Sequence, residues 1–262
     1  MTAAAIEVCG VSLTYPPGRG EAGLPALAGI DLEVTPGEFV CLLGPSGCGK
    51  STLLNLLAGF LAPSAGSVRA NGRAVTGPGP DRAMVFQEYA LFPWMTVAEN
   101  VAFGLDLQGK PGIPARVAAL LEKLSLQDFR DRFPKDLSGG MRQRVAIARC
   151  LAVDSPILLM DEPFGALDAL TRRSMQDELL RLWSELKKTI VFVTHGIEES
   201  VYLADRVVVM TYRPGTVKRI VEVRLPRPRD PASAEFNRLE AELTALVMEE
   251  QARHLGEELR AR

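Results

Sequence analysis

Gly44-Pro45-Ser46-Gly47-Cys48-Gly49-Lys50-Ser51-Thr52 lies between an apolar run, Phe39-Val40-Cys41-Leu42-Leu43, and a second run carrying Leu53, Leu54, Leu56 and Leu57. The nine residues fit G-x-x-x-x-G-K-[ST], the pattern of a phosphate-binding loop set between a strand and a helix. Gly44, Gly47 and Gly49 allow a tight turn that exposes consecutive N–H groups, and the positive end of the following helix reinforces that anion site. Lys50 adds a full charge suited to the β- and γ-phosphates of a nucleotide. The Ser51 hydroxyl is suited to Mg²⁺, and Thr52 offers a second hydroxyl close to the phosphates. Pro45, Ser46 and Cys48 complete the loop, so all of Gly44 to Thr52 is candidate nucleotide-binding backbone. The flanks agree with this: Phe39 to Leu43 reads as a buried parallel strand, and the leucines give the next helix an apolar face that Gly59 ends.

The chain of 262 residues, 47% apolar, is long enough to fill a sizeable core. It has no apolar run near the roughly 18 residues of a membrane span, and Met1 to Gly10 lacks the regions of a secretory leader. The expectation is a folded, soluble chain. A net charge of −2 and a pI near 5.9 give no electrostatic reason to expect nucleic acid as a partner. Cys9, Cys41, Cys48 and Cys150 are scattered without a C-x-x-C pair, and only His195 and His254 are available to join them around a metal. They read as reduced cytosolic thiols. Cys48, inside the phosphate loop, is expected to block nucleotide binding when alkylated.

Ile6-Glu7-Val8 and Ile30-Asp31-Leu32-Glu33-Val34 alternate apolar with polar, as half-exposed antiparallel strands do, with a loop marked by Pro16, Pro17, Gly18 and Gly20 between them. Tyr15 precedes that loop. It is placed either to stack on an adenine ring or to pack as an ordinary strand-end aromatic. Ala83-Met84-Val85-Phe86 is a further buried strand, ended by Gln87. Helical texture follows over Val97 to Leu107, Ile113 to Leu124 and from Ser138-Gly139-Gly140 to Val153, read as a helical subdomain inserted into an α/β core. Strands return at Ile157 to Met160, Ile190 to Thr194 and Val207 to Met210, with a helix from Leu170 to Lys187, so the main sheet should be largely parallel. Arg213 to Arg229 is locally basic, with Lys218, Arg219, Arg224 and Arg227 against the one acid Glu222. Phe236, Leu239, Leu243, Leu246 and Val247 then recur at helical spacing. Both stretches are expected to be solvated charge over a packed stripe.

Ile157-Leu158-Leu159-Met160-Asp161-Glu162 ends a buried strand in two adjacent carboxylates, at the strand mouth where α/β ligand sites form. Asp161 is suited to hold Mg²⁺ through water, and Glu162 to polarise a water for attack on a γ-phosphate. Leu137-Ser138-Gly139-Gly140-Met141-Arg142-Gln143-Arg144 sets a hydroxyl and two glycines at a helix N-terminus, a second anion site that points to a second subunit.

This last stretch resembles the LSGGQ signature of ATP-binding cassette (ABC) proteins, and the other landmarks follow in that family's order over roughly residues 5 to 225. The resemblance implies an α/β P-loop NTPase core with an N-terminal antiparallel β subdomain and an inserted α-helical subdomain. The ATPase domain would span residues 1–230, with the helical part at about 90–153 and an amphipathic helical extension at 231–262. It also implies roles. Tyr15 corresponds to the adenine-stacking aromatic, Gln87 to the glutamine that senses Mg²⁺ and the attacking water, and Gly165-Ala166-Leu167-Asp168 to the loop crossing between subunits. His195 corresponds to the γ-phosphate-contacting histidine. Ser138, Gly139 and Gly140 make the phosphate contact in the family, and Met141 stands where glutamine is commonest. The implied mechanism is a head-to-tail dimer, of two copies or with a homologous ATPase subunit, closing on two molecules of ATP with Mg²⁺.

Leu91-Phe92-Pro93-Trp94, Arg213-Pro214-Gly215 and Leu225-Pro226-Arg227-Pro228-Arg229, with the signature, resemble the nitrate, sulfonate and taurine branch of bacterial ABC importers. Only 39 residues follow Val223, too few for an added β-rich regulatory domain. Membership implies two transmembrane permease subunits, a periplasmic or lipid-anchored solute-binding protein, and a peripheral place on the cytoplasmic face of the inner membrane. Glu88 to Met95 crowds large apolar side chains into a loop, suited either to receive a helix of the permease or to pack within the helical subdomain. The alternative class is a non-transport ABC ATPase acting on ribosomes or DNA. It fits less well: there is no long coiled-coil insertion, one cassette rather than two, and an acidic pI.

Overall fold

The structure, a computed structural model, describes residues 4–16 and 23–261. The loop expected at Pro17, Gly18 and Gly20 lies outside the described residues. In chain order the elements are β1 (Ile6–Tyr15), β2 (Leu24–Val34), β3 (Phe39–Leu43), α1 (Lys50–Ala58), β4 (Ala65–Ala70), β5 (Arg73–Ala74), β6 (Arg82–Val85), α2 (Val97–Leu107), α3 (Ile113–Lys123), α4 (Gly139–Ala152), β7 (Ile157–Asp161), α5 (Ala169–Leu186), β8 (Thr189–Thr194), α6 (Ile197–Leu203), β9 (Arg206–Met210), β10 (Val217–Glu222) and α7 (Ala234–Ala261). They form two compact units, one of Met1–Gly79 with Thr189–Arg262 and one of Pro80–Lys188.

In the first unit β2, β1, β4 and β5 make an antiparallel sheet in that order. The two strands expected at Ile6 and Ile30 extend to ten and eleven residues. Their alternation had hidden this, because register shifts after Val8 and Val11 break the two-residue period. Gly10 and Gly29 sit near these irregularities, both at φ 56. In the same unit β3 is flanked by parallel β8 and parallel β9, with β10 antiparallel on the outer side of β9. Every residue of β3 and of β8 is buried, which is why both read as unbroken apolar runs. The leucines of α1 at 53, 54, 56 and 57 are buried as expected, and Gly59, at φ 85, ends the helix with its N–H turned back to the carbonyls of Asn55 and Leu56.

The basic stretch is not the solvated one expected from its composition. Residues 217–222 form β10, and its cations are paired: Lys218 with Glu249 and Glu250 at 2.7 Å each, Arg219 with Glu242 at 3.2 Å, all three acids on α7. Arg227 reaches Asp205 at 2.6 Å. Arg229 is buried at 4% exposure and donates to the carbonyls of Val201, Tyr202 and Ala204 at the end of α6 and to those of Val223 and Leu225. A cation among the free carbonyls of a helix C-terminus satisfies acceptors that the helix cannot. Burial, then the neighbouring Arg227 charge, lowers its pKa to about 10. The apolar stripe of α7 is as read, with Phe236, Leu243 and Val247 buried.

In the second unit β6 and β7 are parallel and α2, α3, α4 and α5 pack together. The helix starts follow their caps. Thr96 and Glu99 form a reciprocal capping box on α2, Ser138 accepts from the Met141 N–H on α4, and Asp168 accepts from the Thr171 N–H on α5. No helix among the described residues is long and apolar enough to cross a membrane.

Candidate functional site

In the first unit β3 delivers the chain into Gly44–Gly49, and α1 begins at Lys50. Gly47 and Gly49 adopt φ 76 and φ 99, conformations that a side chain resists. A Cβ on Gly49 would also stand 2.6 Å from Leu27 Cδ2. The first turn of α1 holds no acidic residue to offset its positive end. Lys50 is buried, its Nζ donating to the carbonyls of Gly44 at 2.8 Å and Pro45 at 2.9 Å. The ammonium therefore spans the base of its own loop. Cys48 is fully buried, with its Sγ 3.7 Å from that amine, and burial raises its pKa although Lys50 opposes the shift. The thiol expected to be open to alkylation thus faces inward.

Tyr15, 37% exposed, places its hydroxyl 3.1 Å from Thr52 Oγ1, so its ring stands beside the start of α1 rather than in the core. The register of the parallel strands explains the place of His195. Leu43 pairs with Thr194, so the next residues, Gly44 and His195, leave adjacent strand ends about 5 Å apart. Behind the exposed His195, Thr194 Oγ1 donates to Glu199 at 2.5 Å and accepts from the Gly196 N–H at 2.9 Å, fixing the strand-to-helix turn.

The second unit repeats the device. Val85 pairs with Met160, so Phe86-Gln87 and Asp161-Glu162 emerge from neighbouring strand ends. Gln87 is exposed and both carboxylates are half-buried. Glu162 adopts φ 42, a left-handed conformation rare for a residue with a long side chain, and its carbonyl accepts the Gly165 N–H at 3.1 Å.

Ser138, Gly139, Gly140 and Met141 open α4, whose first turn also lacks an acid. A Cβ on Gly140 would meet Thr171 Cγ2 at 2.8 Å, and one on Gly139 would lie 3.4 Å from the Tyr89 hydroxyl and 3.5 Å from Leu167. The signature backbone thus lies against Leu167, against Thr171 in the first turn of α5 and against Tyr89. The bonds from Met141 N–H to Ser138 and from Thr171 N–H to Asp168 give both residues a capping role beside any contact with nucleotide. The Asp168 carboxyl is held below its ordinary value by the Thr171 N–H and hydroxyl.

The stretch after Gln87 divides between its two readings. Phe92 packs on Phe103 of α2, ring centroids 4.5 Å apart, while Trp94 is 69% exposed. Two residues that sequence reasoning passed over, Asn100 and Arg149, and one that it quoted only in a branch resemblance, Arg213, hold neighbouring segments. Asn100, fully buried, ties its amide to the Phe92 N–H and to the carbonyls of Phe92, Met95 and Thr96. Arg149 donates to the carbonyls of Tyr89 and Ala90, both at positive φ. Arg213 donates to the Gly47 carbonyl at 3.0 Å. Asn100 carried a readable signal, a polar residue on the apolar face of a helix; Arg149 carried none, and the Arg213 motif did not point to Gly47.

A family model described as "ABC transporter" matches residues 27–165. A protein of Methanocaldococcus jannaschii named as an uncharacterized ABC transporter ATP-binding protein is 54% identical over 213 residues, 80% of each chain. The taurine import ATP-binding protein of Roseobacter denitrificans is 53% identical over 203 residues, 77% of this chain and 75% of that one. The aliphatic sulfonates import ATP-binding protein of Bacillus licheniformis is 47% identical over 219 residues, 84% and 86%. Among solved structures, a dimeric ATP-binding cassette in a post-hydrolysis state with ADP and Pi is similar with TM-score 0.74 and 33% identity, covering 84% of this chain and 100% of that one. The fold matches what the phosphate loop and its flanks implied, and the chain belongs to the ABC transporter family of ATP-binding, ATP-hydrolysing cassettes.

Proposed function

We propose that the chain is the ATP-hydrolysing subunit of an importer for a small oxyanionic solute of the taurine, sulfonate or nitrate kind. The observation that carries this reading is 47–53% identity to taurine and sulfonate import ATP-binding proteins over at least three quarters of both chains. Gly44 to Thr52 grips the phosphates, and Tyr15 stacks on the adenine. The Glu162 carboxylate takes the proton of the attacking water, while Gln87 orients that water and His195 holds the γ-phosphate. The hard oxygens of Ser51, Gln87 and Asp161 suit Mg²⁺, which one carboxylate together with phosphate oxygens is enough to hold. When bound, the ion neutralises phosphate charge.

Ser138 to Met141, at a helix N-terminus whose first turn lacks an acid, serves the ATP of a second copy or of a homologous subunit, with Asp168 in the crossing loop. ATP then glues the dimer, and hydrolysis releases it. Two permease subunits dock on the segment around Trp94, which sets the chain on the cytoplasmic face of the inner membrane, and a solute-binding protein delivers cargo from the other side. The test is affinity purification of tagged Glu162→Gln chain from detergent-solubilised membranes in ATP. Recovery of a multi-span protein is expected, followed by binding of taurine, alkanesulfonates or nitrate to its associated binding protein. Recovery of ribosomes or DNA, or of a soluble dimer alone, would overturn the importer reading.

A further inference from the structure

The turn that follows β9 is gripped on two sides. On one side it meets the phosphate loop. Arg213 Nε donates to the Gly47 carbonyl, and its Nη2 would stand 3.3 Å from a Cβ on Gly47. Gly215 is bonded both ways to β2, its N–H to the Ala26 carbonyl at 2.8 Å and its carbonyl to the Ala28 N–H at 3.0 Å. A Cβ on Gly215 would run into the Cys48 carbonyl oxygen, so turn and loop are in direct contact. On the other side the turn meets α7. The Tyr212 N–H donates to Glu250 at 3.1 Å, and the Tyr212 ring stacks on His254 with centroids 3.7 Å apart. Glu250 is 3% exposed and also receives Lys218.

A loop that binds phosphate through its N–H groups depends on how its peptide planes are oriented. A guanidinium bonded to the Gly47 carbonyl fixes one of those planes and adds positive charge beside it. We propose that Arg213 is a positioning residue for the phosphate loop and that Glu250 holds the Arg213 turn in place, making α7 a determinant of ATP affinity. This rests on the reading of Gly44 to Thr52 as the ATP phosphate loop. Linkage runs both ways: if α7 strengthens ATP binding, ATP strengthens the docking of α7.

The experiment is a calorimetric titration of the full chain with MgATP, comparing wild type, Lys50→Ala, Arg213→Met, Glu250→Gln and the Arg213→Met/Glu250→Gln double variant. Arg213 is exposed and Glu250→Gln keeps the shape of the side chain, so both singles should fold. Each is expected to raise Kd about five- to tenfold, the net worth of one ordinary hydrogen bond. The double should be no weaker than the poorer single, because both act on one turn. In steady state the loss should fall on KM rather than kcat, a split that general destabilisation would not produce. Arg213→Met within about twofold of wild type, while Lys50→Ala has lost ATP, would overturn the proposal. A weakened Arg213→Met beside an unaffected Glu250→Gln would remove α7 from it. Lys50→Ala binding ATP as wild type does would refute the phosphate-loop reading itself.

Discussion

At the scale of single residues, the phosphate loop shows how burial overrides chemistry read from sequence. Cys48 lies in the proposed phosphate loop, yet its side chain is fully buried and burial raises its pKa. Thiolate is the reactive species, so iodoacetamide at neutral pH should label the exposed Cys9 and leave Cys48 intact in the folded chain, read by peptide mass spectrometry. Rapid labelling of Cys48 without ATP would contradict the placement. Gly44 to Thr52, Asp161-Glu162 and Ser138 to Gly140 could be proposed from sequence because each is a contiguous pattern whose chemistry is local. Arg213 and Glu250 were not, since their contacts reach 166 and 38 residues along the chain, and nothing in their neighbourhoods marks the partner.

At the scale of elements, caps and ion pairs give measurable stability. Thr96→Ala removes the capping box of α2 and should cost about 1 kcal/mol, seen as a lower urea midpoint. The docking of α7 should depend on pH at both extremes. Burial favours neutral Glu250, but the bonds from Lys218 and the Tyr212 N–H outweigh it and hold the carboxyl below its ordinary value of 4.5. Its contribution is therefore present above that value and lost as pH falls through the lowered one. Lys218 is shifted the other way: burial opposes its charge, yet the bonds to Glu249 and Glu250 hold it above 10.5. Its contribution persists below 10.5 and is lost as pH rises through the raised value. Protection of the α7 amides against exchange, relative to the intrinsic rate at each pH, should accordingly fall as pH drops through that lowered value while that of β3 does not. Uniform exchange rates would speak against this coupling. Most strands were readable because a buried parallel strand is an apolar run. β10 escaped because its basic side chains suggested solvent, and α6 because it has only seven residues, although Glu198 and Glu199 in its first turn were a usable start signal.

At the scale of the whole molecule, the proposed cycle predicts an association that follows nucleotide. Glu162→Gln chain should elute as a dimer in MgATP and as a monomer without it, with hydrolysis lowered about 10²-fold or more, the usual worth of a general base. Lys50→Ala should stay monomeric in both. A Glu162→Gln protein that hydrolyses ATP at the wild-type rate would remove the carboxylate from its assigned role. The fold class was legible at this scale because a phosphate loop, a carboxylate-ended strand and intervening helices leave few α/β arrangements open. The helical texture between Val97 and Val153 marked an insertion in that core, and one of the two compact units is assembled from two separate stretches of chain, Met1–Gly79 and Thr189–Arg262.

With Glu162 in its proposed role, its left-handed backbone sets thermal tolerance against turnover. Holding a long side chain at that φ costs about 1 kcal/mol, and asparagine adopts the same conformation more readily. Glu162→Asn should therefore melt higher than wild type while failing to turn over ATP. A laboratory lineage selected for heat resistance alone would drift toward that replacement, and one kept under demand for ATP hydrolysis would be barred from it.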